Sequence, residues 1–141
     1  NAVDEAFKIS KSKKINFLPL VFDASNPSPN QGWMQVERKG FFERSKAKAL
    51  IALAFEHHLA IAKNIPLDHI IEWIAKLAPF GLIEFVPKID ETVQLMLANR
   101  EDIFDEYNEL NFEKLLKTKS KIIKKTKVSE SGRIIYEFET L

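Results

Sequence analysis

The chain has 141 residues, 45% hydrophobic and 29% charged, the composition of one folded globular domain and not of a disordered or fibrous chain. Its 21 Lys and Arg against 20 Asp and Glu leave a net charge of +1, which disfavours a dedicated DNA binder and gives no indication of a nucleic-acid partner. The absence of cysteine excludes disulfide frameworks, thiolate nucleophiles and cysteine-held zinc, and the longest strongly apolar run, Ala49 to Phe55, is seven residues where a membrane-crossing helix needs roughly 20.

No charged start followed by an apolar stretch marks a secretory leader, so a cytoplasmic protein is expected. Asn1-Ala2 reads as a tag remnant, and the domain is expected to run from Val3 to Leu141. From Val3 to Lys14 the spacing of Val3, Ala6, Phe7 and Ile9, with lysines in the last turns, predicts a short helix. Ile15 to Phe22, apolar and β-prone apart from Asn16, predicts a strand buried on both faces, ending at Asp23. The prolines, glycine and small polar residues from Asp23 to Gly32 predict a long surface loop.

Phe41 to Lys48 predicts a brief helix, and Ala49 to Phe55 a second buried strand cut off by Glu56, His57 and His58. Pro66-Leu67-Asp68 opens an amphipathic helix carrying Ile70, Ile71, Ile74, Ala75 and Ala78, which Pro79 and Gly81 stop. Gly81 to Val86 predicts a third buried strand and Glu91 to Asn99 a helix. Phe112, Leu115 and Leu116 mark a short helix, after which Ile122 to Val128 and Arg133 to Thr140 flank Ser129-Glu-Ser-Gly132 as a β-hairpin. The fold class is therefore α/β, a mostly parallel sheet closed by a C-terminal antiparallel hairpin.

Ligands of open parallel sheets bind beyond the carboxyl ends of the strands, which singles out Asp23, the Glu56-His57-His58 trio, Glu84 and Lys88. Histidine titrates near neutrality and serves as acid, base or metal ligand. Adjacent histidines rarely aim at one metal, however, and His69 lies on a separate helix, so no metal site is expected. No nucleophile elbow, phosphate loop or dinucleotide-binding glycine motif is present. Lys117 to Lys127 holds six lysines in eleven residues with no interleaved aromatic, the pattern of a solvated edge strand more than of an anion or RNA site. The nine acidic residues between Glu84 and Glu113, with Asp102, Asp105, Glu106 and Glu109 clustered, read as a solvated acidic face.

Several words of the sequence, Leu18-Pro-Leu-Val-Phe-Asp23, Asn26-Pro-Ser-Pro29, Gly32-Trp33, Glu43-Arg44, Ala52-Leu-Ala-Phe-Glu-His-His-Leu59, Asn64-Ile-Pro-Leu67 and Ile83-Glu-Phe-Val-Pro-Lys88, resemble the C-terminal half of class I S-adenosylmethionine-dependent methyltransferases, in a bacterial, nodulation-related branch. The resemblance implies a Rossmann-like sheet of order 3-2-1-4-5-7-6 with strand 7 antiparallel, of which this chain would hold strands 3 to 7. Asn26-Pro-Ser-Pro29 is similar to the Asn-Pro-Pro-Tyr motif of amino-group methyltransferases, but that motif follows the fourth strand and would leave one strand too many downstream, so that mapping is rejected.

Carried over by position, the resemblance implies S-adenosylmethionine as cofactor, with Asp23 and Ala24 bordering its adenine. It places His57 and His58 as catalytic residues near the methionine end and Glu84 and Lys88 on the substrate side. The glycine-rich first strand turn and the acidic end of the second strand are absent from the sequence, so the chain reads as a fragment that alone binds the cofactor weakly or not at all, with an unassigned methyl acceptor. The alternative is a non-enzymatic α/β interaction module. The missing strands imply raw edges at Ile15 to Phe22 and Ala49 to Phe55, expected to pair within the chain or between copies in a homodimer.

Overall fold

The computed structural model describes all 141 residues. Helix α1 (Ala2–Ser12) begins one residue before the predicted Val3, because Asn1 caps it: the Asn1 side chain accepts from the Asp4 N–H while the Asp4 side chain accepts from the N-terminus. Beyond it the expectation of a buried strand fails. Ile15 to Phe22 forms no ladder with any strand, and Leu18, Leu20 and Val21 stay 69%, 69% and 82% exposed. Apolar composition reports what a segment can bury, but a strand exists only where a neighbouring edge accepts its N–H and C=O groups, and Pro19 offers no N–H at mid-run. The segment is anchored instead by the Ser10 hydroxyl, 2.9 Å from the Ile15 carbonyl and 2.7 Å from that of Phe17.

The predicted loop is a bonded unit. Gln31 and Arg38 exchange both backbone hydrogen bonds, and the Asn30 side chain ties the loop to Glu43 and to the Gly40 N–H. Helix α2 spans only Phe41–Arg44, short of the predicted Lys48, since Lys46 and Lys48 leave nothing apolar to bury a further turn. Strand β1 is Leu50–Ala52 and not the whole of Ala49 to Phe55. It stops because Ala54 takes a left-handed φ of 46° and its N–H donates to Glu84 Oε2 at 2.6 Å, outside any ladder.

After a helical stretch over residues 56–62, π-helical at His58–Ala62, comes α3 (Leu67–Leu77), entered at Pro66 as the sequence predicts, with Ile70, Ile71 and Ile74 fully buried. Strand β2 (Phe80–Phe85) and helix α4 (Glu91–Leu97, capped by Asp90) follow. Helix α5 (Glu109–Lys119), capped by Asn108, is longer than the Phe112 to Leu116 pattern predicts and takes in Lys117 and Lys119 from the lysine run. The hairpin is β3 (Ser120–Lys127) and β4 (Ile134–Thr140), in register apart from a bulge between Ile122 and Lys124.

The sheet runs β1-β2-β4-β3. Only β1 and β2 pair in parallel, while β4 is antiparallel to both β2 and β3. The α/β class holds, but the mostly parallel sheet does not, because the segment before Asp23 contributes no strand. Helices α3 and α5 pack together, and Ile70, Ile74, Phe112 and Leu116 meet Ile83, Phe85, Tyr136 and Phe138 of the sheet in one buried cluster. Where β1, β2 and β4 crowd, Gly81 is required: a Cβ there would stand 2.6 Å from the Phe138 ring and 3.0 Å from the Leu50 carbonyl oxygen. The lysine run and the acidic cluster lie at the surface as predicted, and they meet where Lys125 bridges Glu109 at 2.6 Å and Glu113 at 2.8 Å.

Candidate functional site

The carboxyl ends of β1 and β2 are polar, as the sequence implies, but most of that polarity faces inward. Glu56 and His57 are both fully buried. Glu56 Oε1 accepts from the Val86 N–H at 2.9 Å and lies 2.7 Å from the Tyr107 hydroxyl, while Oε2 is 3.1 Å from His57 Nδ1. The same Tyr107 hydroxyl is 2.6 Å from the Val86 carbonyl oxygen. A phenol has one proton, and a carbonyl can only accept. The arrangement is satisfied when Tyr107 donates to Val86 and Glu56, protonated, donates to Tyr107. Burial pushes the Glu56 carboxyl up, against the opposing hydrogen bonds from His57, Val86 and Tyr107, in agreement with that proton count. Burial likewise pushes the Tyr107 phenol well up, so it stays a donor.

His57 Nε2 is buried with no partner, and its ring packs 4.3 Å from that of His58. His58, by contrast, is exposed, and desolvation followed by the charge of His57 lowers its pKa. Of the two candidate histidines, His58 alone reaches solvent.

Glu84 and Lys88 are both engaged. Glu84 Oε2 holds the Ala54 N–H, and its Oε1 is 3.8 Å from Arg133. Arg133 grips Asp90 with two charge-assisted bonds, Nε to Oδ2 at 2.7 Å and Nη2 to Oδ1 at 2.8 Å, and Ser131 adds a third contact at 2.8 Å. The Arg133 fork holds the Asp90 carboxyl far below the usual carboxylate range. Lys88 lies across both oxygens of Asp102 at 2.8 Å. These bonds lock the segment after β1, the end of β2, the start of α4 and the hairpin loop into one frame. Asp90, Tyr107 and Arg133 were not singled out in the sequence. Asp90 carried a readable signal as a helix cap before Glu91-Thr92, whereas nothing in one sequence joins Arg133 to a residue 43 positions away.

Asp23 stands apart from this frame. It lines an open cleft of about 560 Å³ with Phe22, Asn26, Ser28, Phe41, Arg44 and Ser45. Its carboxylate accepts from the Ser25 hydroxyl at 2.6 Å and N–H at 2.9 Å, which hold its pKa below the ordinary value. The Phe22 and Phe41 rings stack 4.3 Å apart along the cleft, and the Arg44 guanidinium is tied to the Gly40 carbonyl and the Ser28 hydroxyl. An ionised acceptor beside stacked aromatic rings suits a flat, amine-bearing heterocycle. No group of three or more His, Cys, Asp or Glu side chains is arranged to hold a metal.

No family model matches the chain. It is 53% identical over 139 residues to the nodulation protein NoeA of Rhizobium meliloti (strain 1021), a match covering 99% of this chain and 29% of NoeA. This chain is a relative of NoeA. It spans less than a third of that protein's length, and the nodulation-related branch expected from its sequence words is the one found. Among solved structures it is similar to the PH0226 protein from Pyrococcus horikoshii OT3, with a TM-score of 0.59 at 16% identity over 99% of this chain and 66% of that one, a likeness of fold. What the two share is a mixed α/β fold, carried in this chain by a four-stranded sheet of parallel and antiparallel pairs.

Proposed function

We propose that this chain is part of a class I S-adenosylmethionine-dependent methyltransferase. The observation that carries the reading is the strand order: β1-β2-β4-β3, with β4 antiparallel to its neighbours, has the form of the 4-5-7-6 run of that family's sheet. On this mapping Asp23 and Ala24 border the adenine, in keeping with the ionised carboxylate and stacked rings of the Asp23 cleft. His58 faces the reacting centre, and His57 acts on it through ring packing. Glu84 and Lys88, held by Ala54 and Asp102, shape the substrate side. The cofactor supplies an electrophilic methyl group, and the protein's part is to align the acceptor for in-line displacement, where positioning supplies most of the rate.

Because the Asp23 cleft offers only part of a cofactor's polar contacts, the 141 residues alone bind S-adenosylmethionine weakly. The full burial of His57 favours a second reading, a non-enzymatic interaction module. Calorimetry separates the two. A hybrid in which these residues replace the matched stretch of NoeA is expected to bind S-adenosylmethionine, and Asp23→Ala to weaken that binding, while the chain alone shows no micromolar affinity. A hybrid that binds none leaves the interaction module.

A further inference from the structure

Between the entrances of α3 and α5 lies an open cavity of about 680 Å³, within the span of roughly 300–1,000 Å³ typical of small-molecule sites. Ile65, Leu67, Phe104 and Leu115 give it an apolar floor, to which Ile103, 64% exposed, adds. Its polar side is anionic. Asp68 comes from the first turn of α3, and Asp105 and Glu106 from the loop before α5, so carboxylates stand on two separate elements. No Lys, Arg or His lines the cavity. The chain's own cations leave these three carboxylates alone. Their neighbours in the acidic run are paired, Asp102 with Lys88 and Glu109 with Lys125, whereas Asp68, Asp105 and Glu106 join no ion pair. Asp68 accepts only the adjacent His69 N–H. Asp105 and Glu106 are held through their backbone carbonyls, by Asn108 and Asn111, which fixes the loop and keeps both side chains free. Arg100 braces the wall through the Ile61 carbonyl and, at 2.6 Å, Asn64 Oδ1, and is thereby spent on neutral acceptors.

We propose that this cavity binds a free aliphatic polyamine, one ammonium group at Asp68 and another at Asp105 and Glu106, with the methylene stem between them laid on the apolar floor. Ammonium groups supply the charge-assisted donors that the free carboxylates lack, and the stem sheds water against Ile65, Phe104 and Leu115. Carboxylates on two elements select a ligand with charge at both ends over a single amine, and the apolar floor selects it over a bare metal cation. The site uses none of the residues assigned to methyl transfer and stands whether or not the longer protein carries that activity.

Calorimetry on the 141-residue chain tests it, with spermidine, butylamine and Mg²⁺ as probes at about 0.15 M salt, where the Debye length is about 8 Å. Spermidine is expected to bind one site with a Kd below about 1 mM, and about tenfold or more tighter than either butylamine or Mg²⁺. Asp105→Asn with Glu106→Gln is expected to weaken spermidine about tenfold and to leave the Tm unchanged, since neither carboxylate holds a bond in the fold. Ile103→Ser, at an exposed position on the apolar side, is expected to weaken it as well. Glu137→Gln with Glu139→Gln removes the same charge from exposed positions of β4 and is expected to leave the affinity unchanged. As a second measurement, spermidine is expected to shift the backbone amide resonances of residues 64–68 and 103–111. Absence of saturable binding, butylamine or Mg²⁺ binding as tightly as spermidine, equal losses in the two double variants, or amide shifts confined to other residues each overturns the proposal.

Discussion

Replacing Glu56 by Gln isolates the buried proton inferred from the Tyr107 contacts. A carboxyl whose folded pKa is raised binds a proton in the folded state that the unfolded chain has released, so stability falls as pH rises from the unfolded value near 4.5 toward the folded one. Over that interval the slope is about 1.4 kcal/mol per pH unit. With an m-value of about 2 kcal/mol/M in urea, each unit moves the midpoint by about 0.7 M. Glutamine is nearly isosteric with the neutral acid: its carbonyl can take the Val86 and Tyr107 donors and its amide can face His57, leaving only the Val86 carbonyl short of a donor. Glu56→Gln is therefore expected to cost no more than about 1.5 kcal/mol at pH 5 and to gain on the wild type steadily as pH rises. Urea unfolding of both proteins between pH 5 and 7 measures this, and His58 cancels because both carry it. Midpoints that run parallel across that range would show that Glu56 is ionised in the fold and that the proton count is wrong.

Other perturbations follow from the same frame. Arg133→Met leaves the buried Asp90 carboxylate, now held by three contacts from Arg133 and Ser131, without its cation and should cost about 3–5 kcal/mol, read as a loss of Tm; Arg133→Lys, which keeps the charge but not the fork, should recover less than half. The Asp90 pKa is depressed and that of Glu113 is lowered to about 2, so each contributes stability that is complete above its unfolded value and lost as pH falls through the folded one; acid titration of Arg133→Met should show a shallower decline below pH ~4 than the wild type. Gly81→Ala, which drives a methyl group to 2.6 Å from the Phe138 ring, should cost about 1–3 kcal/mol by overpacking, and urea midpoints check it.

Where local chemistry decides structure, the sequence was a sufficient guide. Helix α3 follows from Pro66 and the spacing of Ile70, Ile71 and Ile74, and the hairpin from the turn chemistry of Ser129 to Gly132. Failures came where a second body decides. Ile15 to Phe22 and Ile122 to Val128 are both β-prone runs, yet only the latter became a strand, because β4 lies beside it and nothing lies beside the former. The same limit governed the site. Asp23 and the His57-His58 pair were legible as polar residues ending apolar runs, but their fates diverged for reasons no spacing records: Glu56 turned inward to the Val86 amide and took His57 with it, whereas Asp23 kept to the surface with Ser25. Inward rotation of a strand-terminal carboxylate requires a buried donor set to receive it, here assembled from Val86 and Tyr107, 30 and 51 residues away. The histidine free to meet a ligand is therefore the one that Glu56 does not hold.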